Sequence, residues 1–171
     1  MSRPIGAFCG IVIAALAWAT ISKAATPDTA ATAQISQTLD HLHEAAARAD
    51  GAAYFRLFAA DAVFIGTDAT ERWPIAAFRE YAMARFATGQ GWTYTPRERH
   101  VTVAKTPCRC VAWFDELLDN VNYGTSRGVG VLINAGHGWK IEQYALTVPT
   151  PNDMAADITR EIKAFEAARG H

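Results

Sequence analysis

The stretch VAWFDELLDN, residues 111–120, sets the carboxylates Asp115, Glu116 and Asp119 among Trp113, Phe114, Leu117 and Leu118. Read as a helix, it gathers Val111, Phe114, Leu117 and Leu118 on one side and leaves Ala112, Asp115, Glu116 and Asp119 to solvent, an ordinary amphipathic pattern. Read as a strand, period two puts Trp113, Asp115, Leu117 and Asp119 on one face and Phe114, Glu116 and Leu118 on the other. Each face then carries an acid beside apolar groups, which calls for a chemical reason. A run this short fits both periods, so its neighbours must decide.

After Gly91 those neighbours are all strand-like. WTYTPRERHVTVA, VAWFDELLDN, TSRGVGVLINA and WKIEQYALTV follow one another, separated by KTPCRC, VNYG and GHG, connections short enough for antiparallel hairpins. A helix over 111–120 would stand alone among them, so the stretch is read as a strand. Before Gly91 the pattern is helical. Ile35, Leu39, Leu42 and Ala46 mark a first helix that ends at Asp50-Gly51, and Asp50 caps a short second one with Tyr54, Leu57 and Phe58 on one side. DAVFIGTD reads as a strand, and Trp73-Pro74 opens a third helix through Ile75, Phe78, Ala82 and Phe86 that Gly89 stops. From Thr150 to Asp153 helix-start residues lead into a last helix with Met154, Ile158, Ile162 and Phe165 on one stripe. Helices early and strands late make an α+β domain, with helices on one face of a bent antiparallel sheet.

Residues 1–24 are read apart from this domain. Arg3 precedes an uncharged stretch that ends in Ser22-Lys23-Ala24, the outline of a secretory signal peptide, so a periplasmic or secreted location is expected and a mature N-terminus near Ala25 is its measurable consequence. The apolar part falls short of the ~20 residues that span a bilayer, so no membrane association is expected after cleavage. The 147 residues that remain suffice for one core. We divide them into a flexible leader (25–33), the domain proper (34–150) and a C-terminal helix (151–171). Losing Arg3 and Lys23 leaves 14 basic against 17 acidic residues, which argues against a nucleic-acid partner. Cys108 and Cys110, behind Pro107, are read either as a local disulfide or as two free thiols.

In this order and spacing, DAVFIGTDATERW, GWTYTPRERHV, WFDELLDN, RGVGVL and GWKIEQYALTVPTPND resemble the SnoaL-like branch of the nuclear transport factor 2-like superfamily, from about Gln34 to Asp153. The resemblance implies a cone: a strongly curved antiparallel sheet with three helices packed on its concave face, plus the C-terminal helix, and a pocket between them. It also implies a homodimer through the sheet's outer face. It does not choose a chemistry, since the superfamily holds cyclases, isomerases, dehydratases and pure binding or assembly domains.

Within that frame the expected ligand is a small, largely apolar molecule, held by Trp92, Tyr94, Trp113, Arg127 and Gln143, with Asp115 as the catalytic candidate. A carboxylate beside Trp113 in a water-poor cavity is raised in pKa and can abstract a proton near neutral pH, as an isomerase, cyclase or hydratase requires. The ordinary alternative is that Asp115 pairs with Arg127, Arg97 or Arg99 and merely holds the sheet together. A third reading is a non-catalytic dimerisation domain with a filled cavity. No cofactor and no metal site are expected: His41 and His43 diverge on their helix, and His100 and His137 lack ligand-spaced neighbours. The glycines of GVGVL sit within a strand, where they allow close packing or a bulge.

Overall fold

Alanine-rich sequence with few helix breakers makes α1 (Pro27–Ala47) a single long helix. The computed structural model describes residues 27–170, so the expected signal peptide lies outside the described residues. The segment taken as a flexible leader supplies the first two turns of α1. The buried stripe of α1 runs through Ile35, Leu39, Leu42 and Ala46, spaced by fours and threes, with His43 and Ala45 buried beside it. The chain turns at Ala49, which has positive φ, and Asp50 caps α2 (Gly51–Phe55) by accepting a hydrogen bond from the Ala53 amide at 2.9 Å. This helix is one turn long, because Phe58 already belongs to strand β1 (Phe58–Ile65). Strand β2 (Arg72–Pro74) then takes Trp73, expected at a helix start, and α3 (Ile75–Phe86) follows with Ile75, Phe78, Ala82 and Phe86 buried.

The four remaining strands are β3 (Thr95–Val103), β4 (Val111–Asn120), β5 (Gly124–Asn134) and β6 (Trp139–Thr147), paired in sequence as antiparallel neighbours. The sheet as a whole corrects the expected cone. It is an open layer of six strands in the order β2-β1-β6-β5-β4-β3, with two free edges, and it is mixed because β1 runs parallel to β6. Hairpin spacing reveals only strands adjacent in sequence, whereas β1 finds its partner across α3 and four intervening strands. α1 packs on β3 and β6, α3 packs on β1 and β2, and α2 joins the two helices. After a 3-10 turn (Asn152–Met154), α4 (Ala155–Arg169) buries none of its residues. No helix among the described residues is long and apolar enough to cross a membrane.

Strand β4 alternates strictly. Ala112, Phe114, Glu116 and Leu118 are buried under the helices, while Trp113, Asp115 and Asp119 are exposed on the other face. On β5 the buried face is Ser126, Gly128, Gly130 and Leu132. Gly130 must lack a side chain, because a Cβ there would lie 2.2 Å from the Gln143 carbonyl oxygen and 2.7 Å from the Phe114 ring. Beside it β6 carries a bulge: Val131 pairs with Gln143 but Leu132 pairs with Ile141. The extra residue shifts the buried positions from Trp139 and Ile141 to Tyr144. In the β3–β4 connection, Cys108 and Cys110 form a disulfide, their Cα atoms brought to 5.1 Å by a turn with Arg109 at positive φ.

Candidate functional site

A cavity of about 370 Å³ opens between α1, α3, the 91–94 segment and the sheet, within the size range of small-ligand sites. Its walls carry the aromatic rings of Phe64, Trp73, Phe78, Tyr81, Trp92 and Tyr144, with polar side chains such as Glu71, Arg85 and Asn120 between them and at the rim. Many of these rings are close to parallel. Phe64 and Phe78 stack at 3.8 Å and 3°, Phe64 and Tyr144 lie within 6°, Phe78 and Trp92 within 18°, and Trp73 and Tyr81 within 27°. Gly91 seats this wall against α1: Cβ at that position would fall 2.1 Å from the Ala46 carbonyl oxygen, and the Trp92 amide donates to the same oxygen at 3.0 Å. At the mouth, the Asn120 side chain accepts from the amides of Asn122 and Tyr123 and shapes the β4–β5 turn.

A buried polar cluster meets the cavity through His43 and Tyr144. The side chain of Glu116 is wholly buried, and its Oε1 lies 2.7 Å from His43 Nε2 and accepts a hydrogen bond from the Tyr144 hydroxyl at 3.2 Å. Its Oε2 accepts from Arg99 Nε at 2.8 Å; Arg99 NH2 lies at 2.7 Å but off the hydrogen-bonding direction. Arg99 NH1 in turn donates to Asp40 Oδ1 at 2.7 Å and to the Ser36 carbonyl at 2.9 Å, which ties β3 to α1. Burial pushes Glu116 upward, but the hydrogen bond and charge of His43, followed by those of Arg99, outweigh it and hold the carboxyl below its ordinary range. The Tyr144 hydroxyl is driven well up by burial and then by the charge of Glu116, so it remains a donor.

These contacts define the state of His43. An ionised carboxylate can only accept, so Nε2 carries a hydrogen, and in the neutral ring Nδ1 holds the free lone pair. Among the described residues the ring's hydrogen-bond partner is Glu116, and His43 lines the cavity beside Leu42 and Ala46. A histidine whose far nitrogen is held by a buried carboxylate is fixed in orientation, as the partnered base of a catalytic site is.

Fold and cavity together agree with a comparison against known families, in which the SnoaL-like domain matches residues 35–151. The chain belongs to the SnoaL-like domain family. No curated protein matches the chain. Among solved structures, this SnoaL-like chain is similar to a proposed dehydratase of the NTF2-like family from Streptomyces avermitilis, with TM-score 0.61, 16% identity, and 74% of this chain and 100% of that one covered. It is similar also to an NTF2-like protein of unknown function from Pseudomonas putida KT2440, at TM-score 0.60 and 14% identity, covering 74% and 92%. Identities this low establish a shared fold and leave the chemistry to the site.

The SnoaL-like cavity gathers some of the expected residues and leaves others outside. Trp92 and Tyr94 line it. Asp115 does not enter it: the residue is on a strand, as expected, but on the exposed face, opposite His100 on β3 and Val129 on β5. Trp113 and Arg127 share that outer face and are exposed. Gln143 is displaced from the cavity by the β6 bulge, which puts Tyr144 there instead. Of the three arginines offered as partners for Asp115, Arg97 is engaged with Asp119 and Arg99 with Glu116 and Asp40, and among the described residues Arg127 forms no ion pair with Asp115. Among the described residues no group of three or more His, Cys, Asp or Glu side chains is arranged to hold a metal ion.

Sequence reasoning missed Glu116 and His43, though each left a trace. The strand face with Ala112, Phe114 and Leu118 carries a single acid, whereas the Trp113 face carries two, so the former is the better core face. His43 stands four residues after Leu39 and three before Ala46, on the apolar stripe of α1, while His41 faces outward.

Proposed function

We propose that the cavity binds a small, flat, largely apolar molecule and that His43 transfers a proton on it, with Glu116 as the group that orients His43 and offsets its charge. The observation that carries this reading is the hydrogen-bonded His43–Glu116 pair, of which His43 lines a cavity walled in good part by aromatic rings. Nearly parallel ring planes suit a flat guest, which extends the stack. In such a site Nδ1 takes a proton from carbon next to a carbonyl, the imidazolium is held by Glu116, and the proton is then given to another carbon of the enolate or to a departing hydroxide, which leaves as water. That chemistry is an isomerisation or, where a hydroxide leaves, a dehydration, and the proposed dehydratase from Streptomyces avermitilis shares the fold.

The reading is tested by hydrogen–deuterium exchange at the α-carbon of a bicyclic aryl ketone such as 1-tetralone in D₂O, followed by NMR, with thermal stabilisation as the parallel measure of binding. The wild-type chain should exchange the α-hydrogens above the buffer rate. His43→Gln should lose about 10²-fold or more of that rate while keeping most of the thermal stabilisation, as expected of a general base. Equal losses in exchange and binding would favour a binding module without turnover, and absence of exchange in the wild type would end the catalytic part of the proposal.

A further inference from the structure

The cavity also states a preference about charge. Arg85 and Arg99 are the two arginines among the described residues that are not exposed. Arg99 is matched by Glu116, Asp40 and a backbone carbonyl. Arg85 lines the cavity from the last turn of α3 and pairs with no carboxylate among the described residues. Among the described residues its one hydrogen bond runs from Nη2 to the Gly91 carbonyl at 3.5 Å, the outer limit for such a bond, and its buried Nε has no partner there. Guanidinium carries five donors, and leaving them unmet away from water is costly. Its position is nevertheless set by the chain: the guanidinium carbon stands 5.4 Å from the Trp92 ring centroid, over a segment that Gly91 clamps to α1. Glu71, which also lines the cavity, turns back to its own loop, where its carboxylate accepts from the Asp68 amide at 3.2 Å.

We infer that Arg85 anchors a carboxylate on the ligand, so that the class of molecule accepted is a planar aromatic carboxylate lying along the ring stack with its anion beside Trp92. This rests on the reading of the cavity as a ligand site and adds the charge of the guest. A carboxylate matches a single guanidinium fork, two parallel N–H donors to two oxygens. A phosphate dianion would call for more positive charge than the cavity holds, since Arg85 is its one permanently cationic lining residue.

The test is calorimetric titration of the chain with 2-naphthoate and with its uncharged isostere 2-naphthamide at neutral pH. The wild type should favour the carboxylate by about tenfold or more, the range of a charge-assisted hydrogen bond. Arg85→Gln should bring the ratio near one, and Arg85→Lys, which keeps the charge, should retain a preference for the anion. The carboxylate's advantage should also shrink as salt is raised, a measurement on the wild type that does not depend on how well the variants fold. Equal affinity for the two ligands in the wild type, or an unchanged ratio in a folded Arg85→Gln, overturns the inference and leaves the cavity reading intact. Binding of neither ligand overturns both.

Discussion

On one face of β4, Glu116 is buried and holds His43, Arg99 and Tyr144, whereas one residue earlier and on the other face Asp115 lies exposed across from His100. The two acids are almost the same chemically and differ in what covers them. Helix α1 and Arg99 close over Glu116, so its hydrogen bonds form where water does not compete; among the described residues no helix covers Trp113 and Asp115 on the outer face. The difference teaches that a carboxylate gains a role from a shielded partner set, and that adjacency to a tryptophan on the exposed face supplies no shield.

The strongest attack on this comparison is Glu116→Gln, which leaves Arg99 and His43 without their buried anion. Loss of one partner from a buried ion pair should cost roughly 3 kcal/mol of unfolding free energy in denaturant titration; a cost like that of a surface substitution would erase the contrast. The pH dependence follows with a definite sign. Glu116 ionises below its ordinary value of 4.5 in the folded chain, so its contribution is complete above that value and fades as pH falls through the folded one. The stability gap between wild type and Glu116→Gln should therefore narrow in acid, below about pH 4.5.

Gly128→Ala sharpens the comparison from the neighbouring strand. A Cβ there would sit 2.4 Å from the Tyr144 hydroxyl and 3.1 Å from Glu116 Oε1, so the tyrosine must move and its hydrogen bond must weaken. About 1–3 kcal/mol should be lost, the usual cost of overpacking, with a matching fall in α-hydrogen exchange. The smallest effect belongs to Asp115→Asn. On an exposed strand face it should change stability by no more than about 0.5 kcal/mol and leave ligand binding alone. A large loss of binding or exchange in that variant would return the function to the outer face and invert the comparison.

Much of the architecture is legible in local pattern. The periodicity of Ile35, Leu39, Leu42 and Ala46 marks α1, Asp50 marks a cap, Ile75, Phe78, Ala82 and Phe86 mark α3, and the hairpin spacing after Gly91 delivers four paired strands. The site is legible only in part. Trp92 and Tyr94 reach the cavity because the short connection after α3 must return beside that helix. Gln143 gives way to Tyr144 because one bulged residue in β6 reverses the alternation on which the expectation rested.

From sequence alone came the α+β order of elements, the SnoaL-like resemblance and the extended state of residues 111–120, since all three rest on spacings of a few residues along one chain. Tertiary structure alone decided which face of β4 is covered, that β1 lies parallel to β6 in an open mixed sheet, and that Glu116 meets His43 across 73 residues. A period of two defines a strand's faces but is blind to which one a helix will cover. That choice follows from layers packed at a distance along the chain, and with it goes the assignment of one acid to the shielded interior and its neighbour to water.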